Sequence, residues 1–393
     1  MSIQVNPYKF TPVTFEVRYN KFAPEITNFI INIFSNKKAI EKIHIIPNWV
    51  EGINEKVINQ LMIKSIHGTL AIEGNPSTEK EIEKVINQED FKRIKERKDI
   101  ESYNIKQVYD YINNFKKTEA DKTLIITEEL IRGLHKIITD RTFVNGNVPG
   151  QYRNFEVRVG DDQHGGIYRP PHILEDIKML MAEFVKWLNS EEVLKEYPII
   201  RAILAHYYFE VIHPFGDGNG RVGRALESLI LHDFGFKYGS SFALWIYYYA
   251  NYDRYFTLFS QTRKENKGDQ TEFVIFALSV LNDALENVFN EIVNIADRLL
   301  FKDYLSFLFK TKEINYRQYA ISELILDKKI MLVEDFNNYT LINTLYKKMS
   351  VRAFQRDMKS LLETHQLIAI KKGREEKQYY QANIKGLINK YGK

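Results

Sequence analysis

The sequence predicts a mostly α protein: a helical bundle carrying one β-hairpin, followed by a small α+β winged helix-turn-helix domain. Three observations lead there. Apolar residues recur at helical spacing over most of residues 50–300. The spacing changes to strict alternation only between Gly150 and Pro171. The chain then finishes on helix, strand, basic turn, strand. The division that follows is an N-terminal helical region over 1–115, a core over 116–300 and the winged-helix domain over 301–393.

Each element has a local reason. Asn6-Pro7 and Pro12 mark an irregular opening. From Val50 to about Asn87 two helices are broken at Gly74-Asn75-Pro76; Gly and Asn stop the first, and Ser77 or Thr78 caps the second. Asp99–Phe115 and Thr127–Thr139 are amphipathic, with Thr127 an N-cap followed by Glu128 and Glu129. Phe155, Val157 and Val159 alternate with Glu156 and Arg158, then come GDDQHGG, Ile167–Arg169 and two prolines: a hairpin with a Gly-rich tip. Helical patterning resumes at Ile173 and runs to about Leu300, interrupted mainly at His213–Gly220. Finally, Ser350–His365 puts Val351, Phe354, Met358, Leu361 and Leu362 on one face, ahead of the strands LIAI and QYYQA.

Composition narrows the chemistry. An apolar fraction of 44% fills real cores, and 25 Phe with 24 Tyr argue against disorder over most of the length. Cysteine is absent, which removes disulfides, thiolate nucleophiles and Cys-ligated zinc. No stretch reaches the ~18 consecutive apolar residues of a membrane helix, and the start is not built like a secretory signal. The expectation is a cytoplasmic protein with no membrane partner. From Phe301 onward there are 18 Lys/Arg against 10 Asp/Glu, a net of +8, while the first 300 residues carry −4. Basic character belongs to the last quarter and bears on partners.

The chemistry concentrates in His213-Pro-Phe-Gly-Asp-Gly-Asn-Gly-Arg-Val-Gly-Arg224. Gly216, Gly218 and Gly220 free the backbone to turn its N–H groups inward, directly before an amphipathic helix over Arg221–Phe234. A helix N-terminus with free amides favours an anion such as phosphate. Arg221 and Arg224 add permanent charge three residues apart. Asp217 is a single carboxylate among them, which is how proteins usually hold Mg²⁺ together with substrate phosphates. His213, at the loop entrance, has a near-neutral reference pKa suited to a general base. The segment is neither an EF-hand, since Arg221 and Ser228 fill ligand positions, nor a P-loop, since no Gly-Lys-Ser/Thr follows. His206 reads as a satisfied core histidine.

These twelve residues resemble the signature of the Fic family, HPFx(D/E)GNGRxxR, at every defined position, and helical patterning agrees from roughly Val50 to Leu300. The resemblance implies a Fic-type bundle with the hairpin as its flap, and protein AMPylation: transfer of AMP from Mg·ATP to a Ser, Thr or Tyr hydroxyl of a target protein or of the chain itself. By the same resemblance His213 deprotonates the hydroxyl and Asp217 holds Mg²⁺. Gly218, Asn219 and Gly220 form the anion cradle, Arg221 binds phosphate, and Arg224 reaches the γ-phosphate. The related Doc kinases carry Asn-Lys-Arg where this chain has Asn219-Gly220-Arg221, which disfavours phosphorylation. Asn251, Tyr252 and Tyr255 fall where the family lines its adenine pocket, although helical aromatics more often fill cores.

Thr69-Leu-Ala-Ile-Glu73-Gly74 resembles the family's inhibitory motif, (S/T)xxxE(G/N), and its place ahead of the core implies an N-terminal inhibitory helix. Thr69 and Glu73 share a helix face, so the Glu73 carboxylate would compete with the γ-phosphate for Arg224. In related proteins the same Glu also orients a water that removes AMP, which keeps a de-AMPylase open beside the transferase. A toxin-type module held by a separate antitoxin is disfavoured because the inhibitor lies within the chain. Phe155, Val157 and Val159 match the flap, whose edge either aligns a substrate segment or simply packs on the bundle. In the last domain Arg352, Arg356 and Lys359 form a stripe, with Lys371, Lys372 and Arg374 in the wing. DNA bound through residues 350–380 would make the chain a transcriptional regulator with a secondary or silent core; a solvated face used in a homodimer is the plainer alternative.

Overall fold

The computed structural model describes residues 13–43, 51–88, 91–116, 123–142, 144, 146–236, 239–373 and 376–386. The opening read at Asn6-Pro7 and Pro12, and Arg374 and Glu375 of the wing, lie outside them. The chain divides into two compact units, Met1–Phe289 and Asn290–Lys393.

The first unit is helical. It holds α1 (Pro24–Ile43), α2 (Glu51–Ile72), α3 (Glu79–Ile86), α4 (Arg97–Asn113), α5 (Glu128–Ile138), α6 (Leu174–Leu188), α7 (Glu191–Leu194), α8 (Pro198–Ile212), α9 (Asn219–Asp233), α10 (Ala243–Ala250), α11 (Tyr252–Lys264) and the start of α12 (Thr271–Lys310). Pro198 opens α8 at a position where a missing N–H costs nothing. Nearly every α8 side chain is buried, as expected of a helix at the centre of a bundle. It packs on α9, where Gly223 leaves room: a Cβ there would lie 2.8 Å from Glu210 Oε1 and 2.9 Å from His206 Cδ2. Gly68 does the same where α2 crosses α10, since a Cβ would stand 2.6 Å from the Trp245 carbonyl oxygen. The caps follow the sequence. Thr78 and Glu81 make a reciprocal capping box on α3, and Thr127 accepts from the Leu130 N–H on α5.

The hairpin differs from expectation. Phe155, Val157 and Val159 are half-buried while Glu156 and Arg158 are exposed, so the alternation holds. The ladder does not: a single antiparallel bridge joins Val159 to Tyr168. Arg153 is the physical reason. Its backbone N–H donates to the Pro214 carbonyl (3.0 Å), and its guanidinium to those of His213 (2.9 Å) and Phe155 (2.7 Å), tying the first arm to the motif loop instead.

The second unit, after the end of α12, comprises α13 (Tyr316–Lys328), β1 (Met331–Leu332), α14 (Thr340–Tyr346), α15 (Val351–Lys359), β2 (Ile368–Lys372) and β3 (Gln378–Ala382). The strands form an antiparallel sheet in the order β1-β3-β2, with Ile370 facing Tyr380 and Tyr380 facing Met331. Its core gathers Leu305, Ile321, Ile325, Phe336, Leu361 and Leu367. The buried Asp357 carboxylate accepts from Arg317 Nε (2.8 Å), Tyr346 Oη (2.8 Å) and Asn315 Nδ2 (3.2 Å), so its charge is fully partnered. The apolar face read on α15 needs one correction. Met358 and Leu361 are buried and Phe354 and Leu362 pack against the core, but Val351 is 73% exposed. Ser350 caps the helix there, and Val351 in the first turn lies beyond the reach of the core. Among the described residues no helix is long and apolar enough to cross a membrane.

Candidate active site

The site begins where α8 stops. His213 is its C-cap, in the left-handed region (φ 50°, ψ 58°), a conformation a non-glycine residue adopts at a cost and mostly at functional turns. Pro214 then prevents the helix from resuming. The His213 imidazole is part-exposed, and its Nδ1 lies 3.5 Å from Glu210 Oε2. Burial pushes the Glu210 carboxyl up, but the facing imidazole outweighs it and holds the group below its ordinary value. Glu210 was not singled out in the sequence; its spacing of three from His213 was the available signal.

Asn219 clasps the loop between. Its Oδ1 accepts from the Phe215 N–H and its Nδ2 donates to the Phe215 carbonyl, both at 2.9 Å. Its side chain is therefore spent on the loop, which leaves only its backbone for an anion. The Asn147 Oδ1 accepts the Asp217 N–H at 3.1 Å. His135 supports the same turn from below, stacked on Phe215 at 3.7 Å. The Gly150 N–H donates to its Nδ1, so Nε2 carries the proton and donates to the Asp217 carbonyl at 3.0 Å.

Burial lowers the pKa of His135 from 6.5 to about 4. Between those values the unfolded chain binds a proton that the folded chain does not, so stability falls as pH drops from 6.5 toward 4. Urea unfolding of the protein is expected to show a loss of about 2 kcal/mol between pH 7 and pH 5. His135→Gln, with no proton to take up, should remove most of that dependence; an unchanged dependence would place its source elsewhere.

Gly218 (φ 80°) precedes α9, and no side chain caps the helix. The first-turn amides of Asn219, Gly220 and Arg221 are thus a backbone seat for an anion. The two arginines part company above it. Arg221, 3% exposed, is held by Asp217 (3.0 Å) and faces Glu101 (3.8 Å). Arg224, 1% exposed, donates from Nε to Thr69 Oγ1 (2.9 Å), from Nη2 to Glu73 Oε1 (2.6 Å) and from Nη1 to Tyr255 Oη (3.4 Å). Burial would lower the Arg224 guanidinium, but Tyr255 and Glu73 carry it above its usual value. Gly220 leaves room for Glu73 in this position, because a Cβ there would make Glu73 Oε1 shift.

Glu73, Val159, His213, Gly220, Arg224 and Tyr255 line one cavity, joined by Phe256, Phe259 and Arg263. Asn251 and Tyr252 are not part of that lining. Asn251 is exposed and donates to the Tyr247 carbonyl (2.9 Å), and Tyr252 lies edge-on to His164. Phe155 and Val157 also stay out of the cavity, with Phe155 against Gly146 and Gly216. Phe256, Phe259 and Arg263 escaped the sequence reading because an aromatic helix face looks like core; Arg263 in fact stacks on Tyr168 at 3.7 Å. Asp217 Oδ2 is buried with no hydrogen-bond partner, and among the described residues no group of three or more acidic or His side chains gathers around it. That oxygen has only the Arg97 guanidinium 3.7 Å away, and a carboxylate so placed beside an anion seat fits Mg²⁺ held jointly with phosphates.

Residues 125–231 match the model of the Fic/DOC family. The chain is 32% identical over 174 residues to the Drosophila erecta protein named protein adenylyltransferase Fic, an alignment covering 44% of this chain and 32% of that one. It is 30% identical over 178 residues to the protein of the same name from Culex quinquefasciatus, covering 44% and 33%. The chain spans about a third of the length of these curated relatives. The crystal structure of a Fic family protein from Desulfovibrio desulfuricans G20 covers 93% of this chain and 98% of that one, with a TM-score of 0.57 at 20% identity, a likeness of fold alone.

Proposed function

We propose that the Fic/DOC-family domain this chain carries transfers AMP from ATP to a protein hydroxyl, and that Glu73 holds the reaction off. The observation that carries the reading is the shared cavity: His213, the glycine at the α9 N-terminus and Arg224 all face it, with Glu73 on the arginine. The triphosphate would lie on the α9 amides with its γ-phosphate at Arg224, the position Glu73 now takes. The flat base suits the wall made by Val159, Phe256 and Phe259.

His213 accepts the proton of the incoming hydroxyl, with Glu210 stabilising the imidazolium that forms. The hydroxyl oxygen then bonds to the α-phosphorus, the bond from that phosphorus to the bridging oxygen breaks, and pyrophosphate leaves. Mg²⁺, when bound at Asp217, supplies charge neutralisation for the phosphates. The remaining rate comes from holding the reactants in line. On incubation of the Glu73→Gly protein with ATP and Mg²⁺, intact-mass analysis is expected to show added AMP. An added phosphate instead would indicate a kinase. Failure to bind any Mg-nucleotide even without Glu73 would sink the reading.

One observation favours a second role for the last unit as a winged helix on DNA. Arg352, Arg356 and Lys359 on α15 and Lys371 and Lys372 on β2 are all exposed, while the Asp357 carboxylate beside them is buried and consumed internally. Duplex binding is expected to weaken steeply with salt, and charge reversal at Arg352 and Arg356 to flatten the slope. Binding without salt dependence would count against it.

A further inference from the structure

His206 is the satisfied core histidine its sequence context suggests, and what satisfies it leads to the site. It is fully buried between two partners: Nδ1 lies 2.9 Å from Glu227 Oε2, and Nε2 lies 2.9 Å from Tyr255 Oη. Tyr255 in turn meets Arg224 Nη1 at 3.4 Å, and the second Glu227 oxygen accepts from Tyr248 Oη at 2.9 Å. None of these five side chains is more than 2% exposed.

Donor and acceptor counting fixes the direction of the chain. A guanidinium can only donate, so Tyr255 Oη accepts from Arg224 and must send its own proton elsewhere. The acceptor at hand is His206 Nε2. Nδ1 then carries the hydrogen and donates to Glu227, where the series ends on a buried carboxylate. Every link agrees with both its neighbours, which is the condition under which a buried polar network rigidifies its members.

We infer that Glu227, acting through His206 and Tyr255, is a positioning residue that keeps Arg224 aimed at the phosphate seat once Glu73 has left it. The inference rests on the AMP-transfer reading above. Arg224 has two separate holds in this geometry. Thr69 and Glu73 reach it from α2, whereas the relay reaches it from α8, α9 and α11. Departure of α2's carboxylate would remove the first hold at Glu73 and leave the second intact. Without the relay the guanidinium would be left to Thr69 alone, whose Oγ1 and carbonyl accept from Nε and Nη2, with Nη1 unguided, and would meet the γ-phosphate less often.

The test is nucleotide affinity in the Glu73→Gly protein, measured calorimetrically with ATP and with AMP in the presence of Mg²⁺. Glu227→Gln keeps the shape but removes the charge and one of the two acceptor oxygens that His206 and Tyr248 share; Tyr255→Phe cuts the link nearest Arg224 and keeps the ring. Each is expected to weaken ATP binding by about five- to tenfold, the effect of roughly one hydrogen bond, and AMP binding, which lacks the γ-phosphate, distinctly less. The double variant should lose no more than the worse single one, because a chain cut twice is still one chain. Equal losses for ATP and AMP, or additive losses, would show a merely structural role and overturn the inference. So would normal ATP affinity in Tyr255→Phe, a variant that decides the matter even if Glu227→Gln fails to fold. A Glu73→Gly parent that binds no nucleotide overturns the AMP-transfer reading, and this inference with it; a parent that binds while the variants are unaffected overturns this inference alone.

Discussion

A His213→Ala protein is expected to lose AMP transfer by roughly 10²–10⁴-fold, the contribution of a well-placed general base, while its affinity for Mg-ATP stays within about twofold. The geometry separates the two effects. His213 caps α8 and faces the cavity from the loop entrance, whereas the anion seat is made by the α9 amides and Arg224. Rapid-quench or intact-mass measurement of AMP incorporation in the Glu73→Gly background gives the rate, and calorimetry gives the binding. A variant that binds ATP normally and transfers AMP at the parent's rate would remove His213 from the chemistry. Because the left-handed backbone at position 213 is strained for any side chain, alanine exchanges one strained residue for another. Thermal stability should therefore change little.

Glu73→Gly is expected to act in the opposite direction, raising auto-AMP incorporation by about 10- to 100-fold. That is the range of one charge-assisted hydrogen bond to a buried cation. The carboxylate sits 2.6 Å from Arg224 Nη2 and is 31% exposed, so solvent screening holds the effect toward the lower end. The comparison needs only labelled ATP and the two proteins. Equal, low incorporation by both would remove Glu73 from the mechanism.

What the sequence could show was whatever lies close along the chain. The loop at His213–Arg224 carries its chemistry within twelve residues, and the Thr78 and Thr127 caps are local hydrogen bonds. The Glu73–Arg224 pair spans a separation of 151 and was legible only through a resemblance. Where several helices converge, pattern fails. Phe256 and Phe259 have the spacing of core residues, and nothing along α11 says that one side of it faces a cavity. His206 has the setting of a core residue and is buried, yet its two partners lie 21 and 49 residues away. The hairpin alternates as a ladder should, but a single arginine, Arg153, diverts its first arm. Periodicity reports which face is wet, not which hydrogen bonds form.

Under the AMP-transfer reading, the bare α-carbon of Gly220 bears on how the reaction could be switched on. The Glu73 carboxylate comes in close at that point, and under the AMP-transfer reading so would the phosphate that replaces it. A methyl added there would push on the carboxylate and the Arg224 guanidinium together. Substitution at Gly220 is therefore no route to an active form on that reading, and release falls to the segment that carries Thr69 and Glu73.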